Sequence, residues 1–268
     1  MSGTWTVEPG TLLALRLGEA EKALMTGELD RTLIEAEELL DEDPSHKKAL
    51  ELVSQAALGM GDIVMALEAL NRFIELHTPD ARMLHALAVA RFQSVDYPGA
   101  LVAAEQATTL DRTLTAAWYY QGLALERLGR LEDASACFSK ASALDPENFP
   151  IHPGWSQLDW SAMLEDAIDR LPQPIQVFCD GLDIRFVDFP AIEDLLESYP
   201  PLSPFTDALY RGTPPPEGDP WVSRPEYINL FKGNLSRPSQ DIEAITKRIS
   251  EAVIHESMHW LGIADLPT

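Results

Sequence analysis

Near the end of the chain, His255-Glu256-Ser257-Met258-His259-Trp260-Leu261-Gly262-Ile263-Ala264-Asp265 spells HExxH, extended to HExxHxxGxxD. Residues four apart share one face of a helix. His255 and His259 can therefore aim two imidazoles at one metal ion. Glu256, one position along, sits beside that ion and can take a proton from water. Two neutral nitrogen ligands and a carboxylate base are what hydrolysis by a metal-activated water requires, and one Zn²⁺ ion is the expected cofactor. The plain alternative is a helix with two solvated or core histidines.

A catalytic zinc usually takes three protein ligands. The sequence ends at Thr268, so no later helix is expected to supply the third. Gly262 can adopt a positive φ, end the helix and turn the chain back. Asp265 is then the expected third ligand, through a carboxylate oxygen; its alternative is an ordinary loop carboxylate. Tyr210 and Tyr227 are candidates to stabilise an oxyanion, though either can simply pack. His46, His77, His85 and His152 read as surface or packing residues.

A helix must position this motif, and its expected start is Ser239, an N-cap, with Asp241 and Glu243 in the first turn. Ile242, Ile245, Ile249, Val253 and Trp260 form one apolar stripe, with Ile254, Met258 and Leu261 on the other side. The helix is thus expected to be buried at the motif. Before it, Tyr227–Phe231 reads as a strand, expected at the edge of a sheet, where it could pair with an extended peptide. Ile175–Cys179 and Leu182–Val187 read as strands about an Asp180-Gly181 turn. Ala191–Tyr199 reads as a short helix, and Pro200–Pro225 as a long proline-rich loop. An amphipathic helix is expected from Ser156 to Arg170, with Leu158, Ala162, Met163, Ile168 and Leu171 toward the core.

The first half is a repeat of period 34. Ala66, Ala100 and Ala134 follow it, as do Leu76, Leu110 and Leu144, and Leu50, Leu84 and Trp118. Such a period with helical patterning means stacked helix-turn-helix units. They fall at 13–46, 47–80, 81–114 and 115–148, the first degenerate. The inner helices would present Lys48, Glu51, Gln55, Arg82, His85, Val89, Tyr119, Leu123 and Glu126. Two readings stand for this face: a peptide-binding groove, or a support for the second domain.

The bulk properties narrow the partners. The 268 residues carry a formal net charge of -23, with 46% hydrophobic and 24% charged residues. Such charge repels nucleic acid and anionic membrane surfaces, so neither is an expected partner. No apolar run is long enough to span a bilayer. The first residues have no basic segment or apolar core, so no signal peptide is expected. Cys137 and Cys179 make no disulfide framework, and a reducing cytoplasm is the expected setting.

Two resemblances follow from these residues. Trp118, Gly122, Leu125, Ala134, Phe138, Ala141 and Pro146 stand where a tetratricopeptide repeat (TPR) has them. The C-terminal part resembles the minimal zincin-like metallopeptidases in Ile168-Asp169-Arg170-Leu171-Pro172, Ala208-Leu209-Tyr210-Arg211-Gly212-Thr213-Pro214, Ile228-Asn229-Leu230-Phe231 and the HExxHxxGxxD stretch. Trp260 stands where members often have a second histidine. The resemblances imply a multidomain chain: an all-α tetratricopeptide solenoid over 1–148, then a small α+β zincin-like domain over 149–268. They imply one metal and protease activity, with a protein or peptide as substrate or partner. The alternative is a non-enzymatic tetratricopeptide scaffold with a vestigial or structural metal site.

The assignment of Asp265 has a direct test. Asp265→Ala should weaken zinc binding at least about tenfold, since even residues behind the ligands are worth 10–100-fold. Competitive chelator titration measures this, with circular dichroism as the control for folding. Equal affinities in a folded variant would remove Asp265 from the ligand set.

Overall fold

The computed structural model describes residues 9–151, 154–213, 223–237 and 241–263. The chain forms two compact units, 1–150 and 151–268.

The first unit is all helix. Its elements are α1 (Pro9–Thr26), α2 (Leu29–Glu42), α3 (Lys47–Met60), α4 (Ile63–Leu76), α5 (Ala81–Gln93), α6 (Tyr97–Leu110), α7 (Thr115–Arg127) and α8 (Leu131–Leu144). They stack as hairpins, α1 with α2, α3 with α4, α5 with α6 and α7 with α8. The tight corner inside each hairpin needs one residue in the left-handed region. Gly27, Gly61, Val95 and Gly129 supply it, with φ of 77°, 77°, 67° and 76°. Three corners use glycine, which has no Cβ to clash there. In two of the hairpins the side chain after the corner caps the next helix. Asp62 accepts from Met65 N–H at 3.0 Å, and Asp96 from Gly99 N–H at 2.9 Å.

Small residues let paired helices touch. Ala66, Ala100, Ala134 and Gly122 are all buried. A Cβ on Gly122 would stand 2.6 Å from the Phe138 ring, so α7 and α8 meet ring on backbone. Trp118 is only half-buried, and its indole N–H donates to Arg112 O at 3.0 Å, closing the turn before α7. Leu123, expected on the inner face, is fully buried and belongs to the core. The first hairpin is well packed despite its departures from the repeat pattern: Ala20 and Thr32 are both fully buried, with Thr32 Oγ1 donating to Glu28 O at 3.1 Å.

Of the histidines in this unit, His46 caps α3 by accepting from Ala49 N–H at 3.1 Å, and His77 Nε2 lies 2.7 Å from Ser45 O. His85 packs edge-on against Tyr120, with ring centroids 5.5 Å apart, and its Nε2 meets no hydrogen-bond partner among the described residues. His152 lies outside the described residues.

The second unit is α+β. It holds α9 (Gln157–Asp169), α10 (Gln173–Cys179), β1 (Ile184–Val187), α11 (Ile192–Leu195), β2 (Ala208–Arg211), β3 (Tyr227–Phe231), α12 (Lys232–Ser236) and α13 (Ile242–Leu261). The strands form one sheet in the order β1-β3-β2. β1 runs parallel to β3, pairing Ile184 with Ile228, and β2 runs antiparallel, pairing Leu209 with Asn229. Ile228 and Leu230 turn one face of β3 into a core with Trp160, Met163 and Ala167 of α9, Ile175 and Phe178 of α10, and Ile245, Ile249, Val253 and Trp260 of α13.

Several expectations change here. Ile175–Cys179 is helix α10, not a strand: Ile175, Phe178 and Cys179 are buried at helical spacing, and Gly181, with φ of 73°, turns the chain out of the helix. Asp180-Gly181 therefore makes no hairpin, and β1 pairs with a strand far along the chain. The segment 200–225, which reads as a loop in the sequence, contains β2. β3 is the central strand, not the edge; β2 is on the outside. In α9 the buried stripe is Trp160, Met163 and Ala167, while Leu158 is 82% exposed and Ala162 is exposed. The bulkiest apolar residue, Trp160, sets the phase of the helix. α13 begins with Asp241 as N-cap, accepting from Glu243 N–H at 3.4 Å; the proposed cap Ser239 lies outside the described residues. Cys137 and Cys179 are both free and buried.

Two outcomes follow from the first unit. Gly122→Val should lower its stability by about 1–3 kcal/mol through overpacking against Phe138. Urea unfolding reads the loss, and adding Phe138→Ala should cost less than the two separate effects summed. Burial pushes the His85 imidazole down from its ordinary 6.5 to about 4. Between those values the unfolded chain binds a proton that the folded chain refuses, so His85 subtracts stability as pH falls through that window and nothing further below it. The urea midpoint of His85→Leu should accordingly drop less between pH 7 and pH 5 than that of the wild type.

Candidate metal centre

α13 carries the motif and is held at three points, two toward α9 and one toward β2. Ser250 Oγ donates to Ala167 O of α9 at 3.1 Å. Arg248 reaches Asp207, just before β2, with Nη2 donating to Oδ1 and Oδ2 at 2.6 Å each. Arg170 Nη2 donates to Glu243 Oε2 at 2.9 Å. The helix therefore has a fixed rotation against the sheet, and that rotation decides which face the motif shows.

The outcome is asymmetric. Ala252, Val253, Ser257, Trp260 and Leu261 are buried, whereas His255 and His259 are exposed. The two imidazoles stack side by side with ring centroids 4.1 Å apart and planes inclined by 42°. Glu256 lies between these faces, only 5% exposed. Its carboxylate Oε2 accepts the backbone N–H of Tyr210 on β2 at 2.9 Å. A buried carboxylate is costly unless hydrogen-bonded, and this bond from the strand offsets part of that cost while fixing its direction. β2 is itself pinned by Trp260. The Tyr210 ring stands perpendicular to the indole at 5.6 Å, and the indole N–H donates to Ser223 O at 3.1 Å.

His255, Glu256 and His259 open into one cleft of about 670 Å³, along with Tyr210 and Tyr227. The Tyr210 hydroxyl is pushed above its ordinary pKa, first by burial and then by the Glu256 charge, and so stays protonated. Gly262 ends α13 with φ of 67°. Its N–H donates to His259 O at 3.1 Å, and Ile263 N–H to Met258 O at 3.0 Å, which closes the helix with a left-handed cap and redirects the chain. Asp265 lies outside the described residues. Among the described residues no group of three or more His, Cys, Asp and Glu side chains is placed to hold a metal. The two imidazoles nonetheless fit one: both are nitrogen donors, exposed, adjacent and on one face, beside an acidic group.

Some lining residues carried no signal at the sequence level. Asp194 and Glu197, at and just after α11, and Arg211 at the end of β2 meet in the cleft, with Arg211 Nη1 donating to Glu197 Oε1 at 2.7 Å and Asp194 Oδ1 at 3.2 Å. Single charges in short, irregular segments have no periodicity to mark them. The tertiary fold brings them there, Arg211 through the place of β2 beside α13 and Asp194 and Glu197 through their bonds to Arg211.

Residues 179–266 match the family model of zincin-like metallopeptidases, a span that includes the whole motif, and residues 115–148 match that of the tetratricopeptide repeat. No curated protein matches the chain. Among solved structures, a crystal structure of MamA is 24% identical over 47% of this chain and 74% of its own, with a TM-score of 0.45. MamA from Desulfovibrio magneticus RS-1 is 19% identical over 50% of this chain and 76% of its own, at 0.47. YrrB, described as a tetratricopeptide protein with an unusual peptide-binding site, is 19% identical over 49% and 68%, at 0.46. The chain is thus similar to two families in series, a tetratricopeptide repeat protein in its first unit and a zincin-like metallopeptidase in its second.

Proposed function

We propose that this chain is a zinc-dependent metallopeptidase whose tetratricopeptide arm binds a protein or peptide, with the division between the two parts at about residue 148. The observation that carries the reading is the buried Glu256 carboxylate, oriented by the Tyr210 amide and set beside two exposed imidazoles in one cleft. His255 and His259, with Asp265, would hold one zinc ion. When bound, zinc supplies Lewis acidity, polarising a scissile carbonyl and making water more acidic.

The remaining work falls to the protein. Glu256 takes a proton from the attacking water and returns it to the leaving amine. The Tyr210 N–H keeps the carboxylate turned toward the cleft during both transfers. The Tyr210 hydroxyl, protonated, can donate to the oxygen that gains charge. β2 lies at one edge of the sheet among the described residues, and its outward Tyr210 N–H is already engaged by Glu256. Among the described residues no helix is long and apolar enough to cross a membrane. The free, buried Cys137 and Cys179 fit a reducing cytoplasm as the setting.

The protein purified without chelator should hold about one equivalent of zinc and cleave a mixed peptide library in a zinc-dependent way. Glu256→Gln should keep the metal and lose at least about 100-fold in turnover, the smallest effect typical of a general base. Metal below about 0.2 equivalents with none taken up on titration would overturn the site. A zinc-loaded chain that cleaves nothing would favour a scaffold instead.

A further inference from the structure

The cleft has a second wall. It is built from α11 and the end of β2, where the Arg211 guanidinium lies between Asp194 and Glu197. Glu226 joins them in the lining. Its backbone N–H donates to Arg211 O at 2.8 Å, while its side chain is exposed and makes no ion pair among the described residues. Among the described residues, the charged side chains lining the cleft are Asp194, Glu197, Glu226 and Glu256 against Arg211. Four negative charges against one positive leave a sum that stays negative even after a divalent ion is added.

We propose that this wall selects peptides carrying a basic side chain, Lys or Arg, beside the bond presented to Glu256. The inference rests on the peptidase reading above and names its substrate class. What makes the wall a recognition surface is its place: it shares one cleft with the exposed imidazole pair and the buried carboxylate. Arg211 shows what the wall accepts, since Asp194 and Glu197 already hold a guanidinium of the chain itself. All three side chains are partly exposed, at 29% for Asp194, 45% for Arg211 and 62% for Glu197. Ion pairs so exposed are weak and can be exchanged for pairs with a ligand. An acidic side chain entering here meets a guanidinium that two carboxylates already engage, and Glu226 beside it.

The test is equilibrium binding by the full-length Glu256→Gln protein, zinc-loaded, of fluorescein-labelled decapeptides that differ only in a central Lys, Gln or Glu. Fluorescence anisotropy should show the Lys peptide bound about fivefold or more tighter than the Glu peptide, from two or more weak exposed pairs. The gap should narrow at high salt. Asp194→Asn with Glu197→Gln should erase or invert the preference, because Arg211 is then left without its carboxylates. Arg211→Gln should widen it. Should the double variant fail to fold by circular dichroism, Arg211→Gln and Glu226→Gln decide alone, with opposite shifts expected. Equal binding of the Lys and Glu peptides, an unaltered gap in folded variants, or no binding of any peptide would overturn the inference. Selective binding of the Lys peptide by a protein whose wild type cleaves nothing would keep the selectivity and sink the peptidase.

Discussion

A carboxylate buried at the junction of a helix and a strand constrains the second unit. Glu256 sits on the inner side of α13, where its neighbours Val253, Ser257 and Trp260 are all closed to solvent. A charge there must be met by a donor, or the helix would rotate or the group would take up a proton. The donor is the outward N–H of Tyr210, so β2 has to run alongside α13 at hydrogen-bonding distance. Once β2 lies there, its other edge pairs with β3, and β3 in turn takes β1. The small sheet, the cleft and the exposure of His255 and His259 all follow from the position of that strand.

The ties around α13 reinforce the same geometry. Arg248 holds the start of β2 through Asp207, and Trp260 holds its end. The strand has only four residues, too few to be secure on ladder bonds alone. Its side chains divide the work. Ala208 and Tyr210 lie against the helix side, whereas Leu209 and Arg211 serve the opposite face of the pleat, as alternation along a strand requires. This is why the Tyr210 ring meets Trp260 of α13 while Arg211 meets Asp194 and Glu197.

The first unit shows a looser relation between pattern and need. Its hairpin corners recur with the repeat, and each demands a left-handed residue. Gly27, Gly61 and Gly129 satisfy that demand, but Val95 takes the same conformation with a branched side chain, which costs roughly 1–2 kcal/mol. Val95 is 7% exposed, and burial of its side chain offsets this strain. Glycine thus stands at the corner of three of the four hairpins, and valine at the other.

The sequence by itself determined the local and periodic features. A repeat of 34 residues is visible because every unit makes the same contacts with its neighbours, so its apolar and small positions recur. His255, Glu256 and His259 are visible because a single helix spaces them, and Gly262 because one residue makes the cap. Ile175–Cys179 reads as a strand although it ends the seven-residue α10, because so short a run does not separate a helix from a strand by period. The tertiary structure alone decided which strand lies at the centre of the sheet, since β3 pairs with a strand forty residues before it as well as with β2. It also decided that Tyr210 would hold Glu256 and that Asp194, Glu197 and Arg211 would share its cleft. Those contacts join segments far apart in the chain, and no spacing in a sequence encodes a distance across a fold.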